Sequence, residues 1–267
     1  MKVLLLDAYN LIHRARSGFT SGDYPIVYNF FRGLRPLIEK FNPDKVYFVL
    51  EGYPDFRKKI DANYKSNRKS QDRKFHEQKA QIIAMVKSCF PITTVRHPEL
   101  ECDDVIATLT KIHCQKKDDC IIISSDSDFY QLLNAFENCT IYNPVKKKVI
   151  EKPSYDYVTW KALRGDATDN IPGIPGCGDK TATRLVAEPE KLREYLEKGN
   201  RRQIFENNVN LIRLVDFSEN TSDLETHAGV SDWEELYSLF CDMEFNSMTK
   251  EKAWNKYIKT FNNLSGG

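Results

Sequence analysis

Along the first 150 residues, short unbroken apolar runs alternate with stretches whose apolar positions recur every three or four residues. The runs "KVLLL" (2–6), "KVYFVL" (45–50), "PITTV" (91–95) and "CIIIS" (120–124) predict buried strands. Between them, residues 24–41 carry Val27, Phe30, Phe31, Leu34, Leu37, Ile38 and Phe41 at helical spacing, with Pro36 expected to kink or interrupt the helix. Residues 74–90 and 102–114 are also helix-like, the latter with Val105, Ile106, Leu109 and Ile112 on one face. Strands alternating with helices predict an α/β fold with a mainly parallel sheet flanked by helices. The pattern then changes. A helix-like start at 155, a Gly/Pro-rich turn and a second helix-like piece fill 155–189, and "VKKK" (145–148) before them predicts a turn. The remainder predicts a polar helical region with Trp233, Leu236, Tyr237, Phe240 and Met243 as a core stripe, ending in a frayed "NNLSGG".

Ligands of open α/β sheets bind outside the carboxyl ends of the strands. In this sequence those ends carry acids. Asp7 follows the first strand, Glu51 the second, and Asp126 and Asp128 follow "CIIIS", while Glu101, Asp103 and Asp104 open the helix at 102. In an extended chain, residues two apart share a face, so the acids of "SDSD" point together. Any one of these acids reads equally well as a turn residue or helix cap. Four segments delivering acids to one sheet edge read better as a cation site, because clustered carboxylates repel without positive charge between them. Hard, oxygen-preferring Mg²⁺ or Mn²⁺ ions suit such ligands, and two of them about 4 Å apart support phosphodiester hydrolysis.

The hairpin adds a second feature. Gly173, Gly176 and Gly178 permit a tight turn, and Asp179 is placed to cap the following helix. Amides near Lys180 and Thr181 would then face outward as a phosphate site. Asp166 and Asp169, just upstream, could add metal ligands.

Composition narrows the setting. The chain has 267 residues, 41% hydrophobic and 29% charged, with a net charge of +1, so any nucleic-acid signal is local. That local signal lies at 57–74, where Arg57, Lys58, Lys59, Lys65, Arg68, Lys69, Arg73 and Lys74 face only Asp61 and Asp72, interleaved by Phe56, Tyr64 and Phe75. A charge run is commonly no more than a solvated face, which remains the plain alternative here. Seven scattered cysteines without a CxxC pair point to reduced thiols in a cytoplasm, and five scattered histidines form no metal motif. No run reaches membrane-spanning length, and the opening "MKVLLLDAYN" is too short and too acidic for a signal peptide.

In order, "LLLDAYNLIHR", "VYFVLEG…FRKKIDANYKSNR", "ELECDD", "ISSDSDFYQLL" and "GDATDNIPGIPGCGDKTA" resemble the structure-specific 5′ nucleases, or flap endonucleases, over residues 1 to about 190. These include bacteriophage 5′-3′ exonucleases and the 5′-nuclease domain of bacterial DNA polymerases. The resemblance implies a PIN-like core over 1–152 with a basic arch or clamp segment at about 56–90. A helix–hairpin–helix (H3TH) module and C-terminal helical region follow over 153–267. It implies that Asp7, Glu101, Asp103, Asp104, Asp126, Asp128, Asp166 and Asp169 bind two Mg²⁺ or Mn²⁺ ions. Glu51 stands where relatives usually carry Asp, and Cys102 replaces a small residue, a packing change. Lys65 and Arg68 would steer the scissile phosphate, Tyr64 would hold an unpaired 5′ end, and Arg14 and Arg57 would contact the strand. The hairpin would bind duplex and hold K⁺. The implied partner is DNA with a 5′ flap or 5′ end, or an RNA–DNA hybrid. The implied protein is a cytoplasmic monomer in a bacterial or phage-infected cell, working beside a separate polymerase or single-strand-binding protein.

Two rival readings follow from the same residues. One is a PIN-type ribonuclease on single-stranded RNA, against which the hairpin argues. The other is a non-catalytic DNA-junction binder, against which the acid set argues. A phosphatase of the DxDx[TV] type fails because "DSDFY" places Tyr130 where Thr or Val is required.

Overall fold

The computed structural model describes residues 1–68, 70–262 and 264. The cation at Lys69 and most of the expected frayed ending (263, 265–267) lie outside the described residues. The first half contains β1 (Lys2–Asp7), α1 (Ala8–Ala15), α2 (Pro25–Phe41), β2 (Lys45–Val49), α3 (Asp55–Ile60), α4 (Arg73–Cys89), β3 (Thr93–Arg96) and α5 (Cys102–Gln115). Then come β4 (Asp119–Ile123), α6 (Tyr130–Ala135), β5 (Cys139–Asn143) and β6 (Lys148–Val149). The second half adds α7 (Tyr157–Arg164), α8 (Asp179–Ala187), α9 (Pro189–Leu196), α10 (Arg201–Ile212), β7 (Glu225–His227), α11 (Trp233–Asp242), α12 (Asn246–Thr249) and α13 (Glu251–Phe261).

The strand order is β6-β5-β4-β1-β2-β3-β7. The five inner strands are parallel, and β6 and β7 close the edges antiparallel. β1 is buried on both faces, which is why it reads as a continuous apolar run. Leu4 and Leu6 pack into the layer of α1, α2 and α4, while Val3 and Leu5 pack against α5. The chain runs from β3 across to β4 on the far side of β1, so the topological switch point falls between β1 and β4. Asp7 and the "SSDSD" segment flank that crevice.

Four sequence expectations change. α2 runs through Pro36 without a break, held by buried Leu34, Leu37 and Ile38 on either side. Asp179 does not cap α8; Gly178 occupies the cap position and Asp179 is the first helical residue. In the expected C-terminal core stripe Leu236 and Phe240 are buried, but Tyr237 is exposed. The C-terminal region is also not purely helical, because residues 225–227 pair with β3 as β7. Phe240, Phe245, Tyr257 and Phe261 of that region join the same core as α2 and α4. Helices α7 to α10 form two smaller clusters around Leu163, Ile174 and Leu185 and around Val158, Ile171 and Leu211.

Candidate metal centre and nucleic-acid interface

Asp7 ends β1 and caps α1, its Oδ1 accepting the Asn10 amide at 3.0 Å. Its other oxygen accepts the Ser124 hydroxyl at 2.7 Å, and the Ser124 oxygen accepts the Asp126 amide at 3.0 Å. Asp126 Oδ1 accepts the Asp128 amide at 2.9 Å. Asn10 ties α1 to the same loop, exchanging bonds of 2.8 and 3.1 Å with Ser125. The two serines between strand and acids therefore fix the ends of β1 and β4 to each other. Asn10, which no motif marked, is part of that clasp.

Glu51 follows β2, and its Oε2 accepts the Cys102 amide at 3.4 Å. Gly52 allows this approach. A Cβ there would lie 2.0 Å from the His97 carbonyl and 2.2 Å from that of Leu100, so the loop leading into α5 packs directly on the glycine. That contact brings Glu101 and Asp103 to the strand ends.

The acids fall into two groups. In the first, the negative charges of Asp126, Asp7, Glu101 and Glu51 act on their neighbours: Asp126 raises the pKa of Asp7, Glu101 and Asp7 raise that of Glu51, and Asp126, Asp7 and Glu51 raise that of Asp103. Asp128, Asp166 and Asp169 place one oxygen each within 4.8 Å of the others. Asp104 does not join either. It is fully buried and turned away, taken by Arg57 at 2.6 and 2.7 Å and by the Val215 amide at 2.8 Å. Arg57 is correspondingly buried, also donating to Glu101 at 2.8 Å, so it is an internal strut and not the surface DNA contact expected from the charge run.

Other cations of that run also turn inward. Lys65 adopts a positive φ of 56° and pairs with Glu101 and, at 3.7 Å, with Asp169. Arg68 donates to Asp169 at 2.6 Å. Tyr64 is buried, its hydroxyl donating to Glu101 at 3.1 Å, and Phe75 is fully buried, so of the three interleaved aromatics only Phe56 is exposed. Arg14 does not face the acids. It lies across from α2, 3.9 Å from where a Gly33 Cβ would stand. Lys161, which no motif marked, is buried on α7 and pairs with Asp128 and, at 2.6 Å, with Asp166.

Among the described residues, nine carboxylates thus share four cations, Arg57, Lys65, Arg68 and Lys161. The excess shows in proton affinity. Loss of hydration, countered by the Ser124 bond and worsened by Asp126, pushes Asp7 up to about 6. Burial pushes Asp128 up to about 6 against the pull of Lys161. Crowding by protein atoms and then the Glu101 charge push Glu51 up to about 7, although the residue keeps a solvent-open side. Burial and then Asp126 and Asp7 raise Asp103 well above the carboxylate range. Carboxylates held this way, with oxygen the sole donor type, fit hard divalent cations.

The hairpin stands beside the second group. Asp166 and Ile171 exchange two backbone bonds of 2.8 Å, with Gly165 at φ +80°. A Cβ at Gly173 would meet the Arg164 carbonyl at 2.0 Å, and Gly176 has φ +79°. Gly178, Lys180 and Asp179 are exposed, and Thr181 is half-buried at the start of α8.

A family model described as the 5′-3′ exonuclease N-terminal resolvase-like domain matches residues 2–161, and the 5′-3′ exonuclease C-terminal SAM fold matches 152–256. The thermostable DNA polymerase I of Thermus filiformis is 31% identical over 94% of this chain and 33% of that protein. DNA polymerase I of Mycobacterium tuberculosis is 28% identical over 91% of the chain and 30% of that protein. The chain thus spans about a third of these relatives. Among solved structures, bacteriophage T5 5′-exonuclease with bound zinc has a TM-score of 0.63 at 16% identity, each chain covered to 99%. The catalytic core of Rad2 with DNA substrate has 0.59 at 17%, covering 97% of this chain and 91% of that one. At these identities the structural likeness concerns the fold. Among the described residues no helix is long and apolar enough to cross a membrane.

Proposed function

Since this chain belongs to the 5′-3′ exonuclease family, both of whose domain models it matches, we propose that it hydrolyses DNA phosphodiesters near 5′ ends and at single-strand/duplex junctions, RNA–DNA hybrids included. The observation that carries the reading is the convergence of acids from five segments on one sheet edge with too few cations to balance them, next to a glycine hairpin.

Asp7, Glu51, Glu101, Asp103 and Asp126 would hold one divalent ion, and Asp128, Asp166 and Asp169 a second. Such ions supply an activated water and stabilise the leaving oxygen. Asp104 acts at one remove, through Arg57, by fixing Glu101. Lys65 and Arg68, now paired with acids, are the cations within reach of an arriving phosphate. Lys65 and Arg68 would draw the phosphodiester in once Glu101 and Asp169 were engaged in holding the ions. Amides at the start of α8, at Gly178, Lys180 and Thr181, would grip duplex phosphates without reading sequence, and carbonyls of the 173–178 turn would hold K⁺. A monomer acting beside a polymerase or single-strand-binding protein in a bacterial or phage-infected cytoplasm suits this reading, as does the DNA polymerase I name of its curated relatives.

The test is cleavage of a 5′-labelled DNA flap with Mg²⁺, Mn²⁺ or EDTA, beside a single-stranded RNA of the same sequence. Metal-dependent release of the flap with RNA intact is expected. Cleavage of RNA alone would replace the reading with a ribonuclease, and junction binding without turnover in either metal with a binder.

A further inference from the structure

Lys79, Ile83 and Lys87 recur every fourth residue along α4 and line a cavity of about 400 Å³. The cavity lies between α4, α1 and the carboxyl ends of β2 and β3, with β7 as a wall. Tyr9 and Glu51 are among its lining, so it adjoins the acid centre. Nothing in the chemistry above uses it.

Its charge is unusual for a half-buried space. Lys79 stands 5.4 Å from the centre of the Tyr9 ring, and among the described residues neither Lys79 nor Lys87 forms an ion pair. Arg96, a third cation of the lining, is engaged by Glu225 at 3.4 Å and by the Glu51 carbonyl at 3.1 Å. The lining also carries two acids: Glu225 is paired with Arg96, and Glu51 belongs to the acid cluster. Two lysines partly withdrawn from water and outside any ion pair among the described residues favour an incoming anion. At 1.5 Å rise per residue they are about 12 Å apart along the helix, so the anion-attracting stretch starts beside Glu51 and leads away from it. Ile12 and Ile83 give the space an apolar side. A volume of this order suits one small ligand and not a duplex end.

We propose that the cavity receives the 5′-terminal nucleotide of the strand being cut, its 5′-phosphate drawn in by the positive charge of Lys79 and Lys87; this rests on the nuclease reading. A free deoxynucleoside 5′-monophosphate carries the same chemistry, and the test separates the two sources. Binding is measured in EDTA, where no cleavage is needed, to a duplex with a one-nucleotide 5′ flap ending in phosphate or in hydroxyl. The wild type is expected to hold the phosphate form about tenfold more tightly, the worth of one or two charge-assisted bonds. The Lys79→Ala/Lys87→Ala variant, and Lys87→Gln in part, should lose that preference and bind the hydroxyl form as the wild type does. No preference in the wild type, a preference that survives the double change, or equal weakening of both forms would overturn the proposal. Free dTMP binding that the double change abolishes, with no preference between duplexes, would assign the cavity to a released nucleotide and overturn the strand-end placement. Cleavage of the hydroxyl form with Mg²⁺ reads the nuclease function separately: its absence would sink that function while the binding comparison still decides the cavity.

Discussion

Arg57 is offered by the sequence as one cation among eight and is spent by the fold on Asp104 and Glu101. Removing one partner of a buried pair leaves the other uncompensated, at a cost of about 3–5 kcal/mol. Arg57→Ala should therefore lower the melting temperature sharply in thermal denaturation. A stable variant with weakened DNA binding alone would refute this role. Asp7 makes the opposite case. Asn at position 7 keeps one oxygen to accept the Asn10 amide, turns an NH2 donor toward the Ser124 hydroxyl oxygen in place of the second acceptor, and sheds the charge. In EDTA at pH 7.5, Asp7→Asn should gain on the order of 2 kcal/mol, several degrees of melting temperature, while flap cleavage falls at least a hundredfold. A variant that lost both stability and activity would mean that the charge is needed for folding. The acids were legible because chemistry at an α/β sheet is confined to strand ends, and those ends can be counted along the chain. The roles of the cations were not legible. A run of Lys and Arg looks alike in sequence whether its members face water, like Arg73, or reach inward, like Lys65. Lys161 carried even less signal, since its partners come from 128 and 166.

Among the elements, the inner strands β1 to β4 and the long helices followed from apolar period, because burial on two faces or one leaves a repeat that can be read locally; the fifth inner strand, β5, was not read from it. β7 had no such mark. "ETH" is exposed throughout, and its strand form comes from backbone bonds to β3 at the sheet edge. Pro36 misled for a related reason: the lost bond is outweighed by tertiary burial around it. The loop between β3 and α5 is the element on which the acid centre depends most. Gly52→Ala would drive a methyl into two carbonyls of that loop. It should cost about 1–3 kcal/mol and displace Glu101 and Asp103, reducing cleavage well beyond what the stability loss explains. The check is kcat measured at a temperature where circular dichroism shows the variant folded. Full activity there would mean that the loop tolerates the shift.

For the whole molecule, the surplus of buried negative charge makes stability depend on pH and on divalent ions together. A carboxyl whose pKa is raised on folding helps the fold while protonated. That help is complete below its unfolded value near 4 and is lost as pH climbs through about 6 for Asp7 and Asp128 and about 7 for Glu51. Glu101 and Asp166 are shifted downward despite burial, through Lys65 with Arg57 and through Lys161, and so withdraw their contribution only as pH falls below the ordinary carboxylate range. In EDTA the melting temperature should therefore decline from pH 5 to pH 8, and millimolar Mg²⁺ should recover most of the loss at pH 8. A flat profile, or no response to Mg²⁺, would count against the ion site. The two halves read from the sequence also share one core, with Phe240 and Phe261 against Phe31 and Phe90. Residues 1–152 made alone would expose that aromatic face.

The late return of the chain to the sheet has a bearing on how the protein is made. Every acid of the centre lies at or before Asp169, yet the edge beside β3 waits for residues 225–227, and the aromatic layer waits for Phe261. A ribosome adding roughly 5–20 residues per second leaves an interval of several seconds in which the acids exist but the framework holding them does not. A growing chain thus lacks the framework around its acids until Phe261 has been translated, and through that interval its bare aromatic face is what a chaperone would recognise.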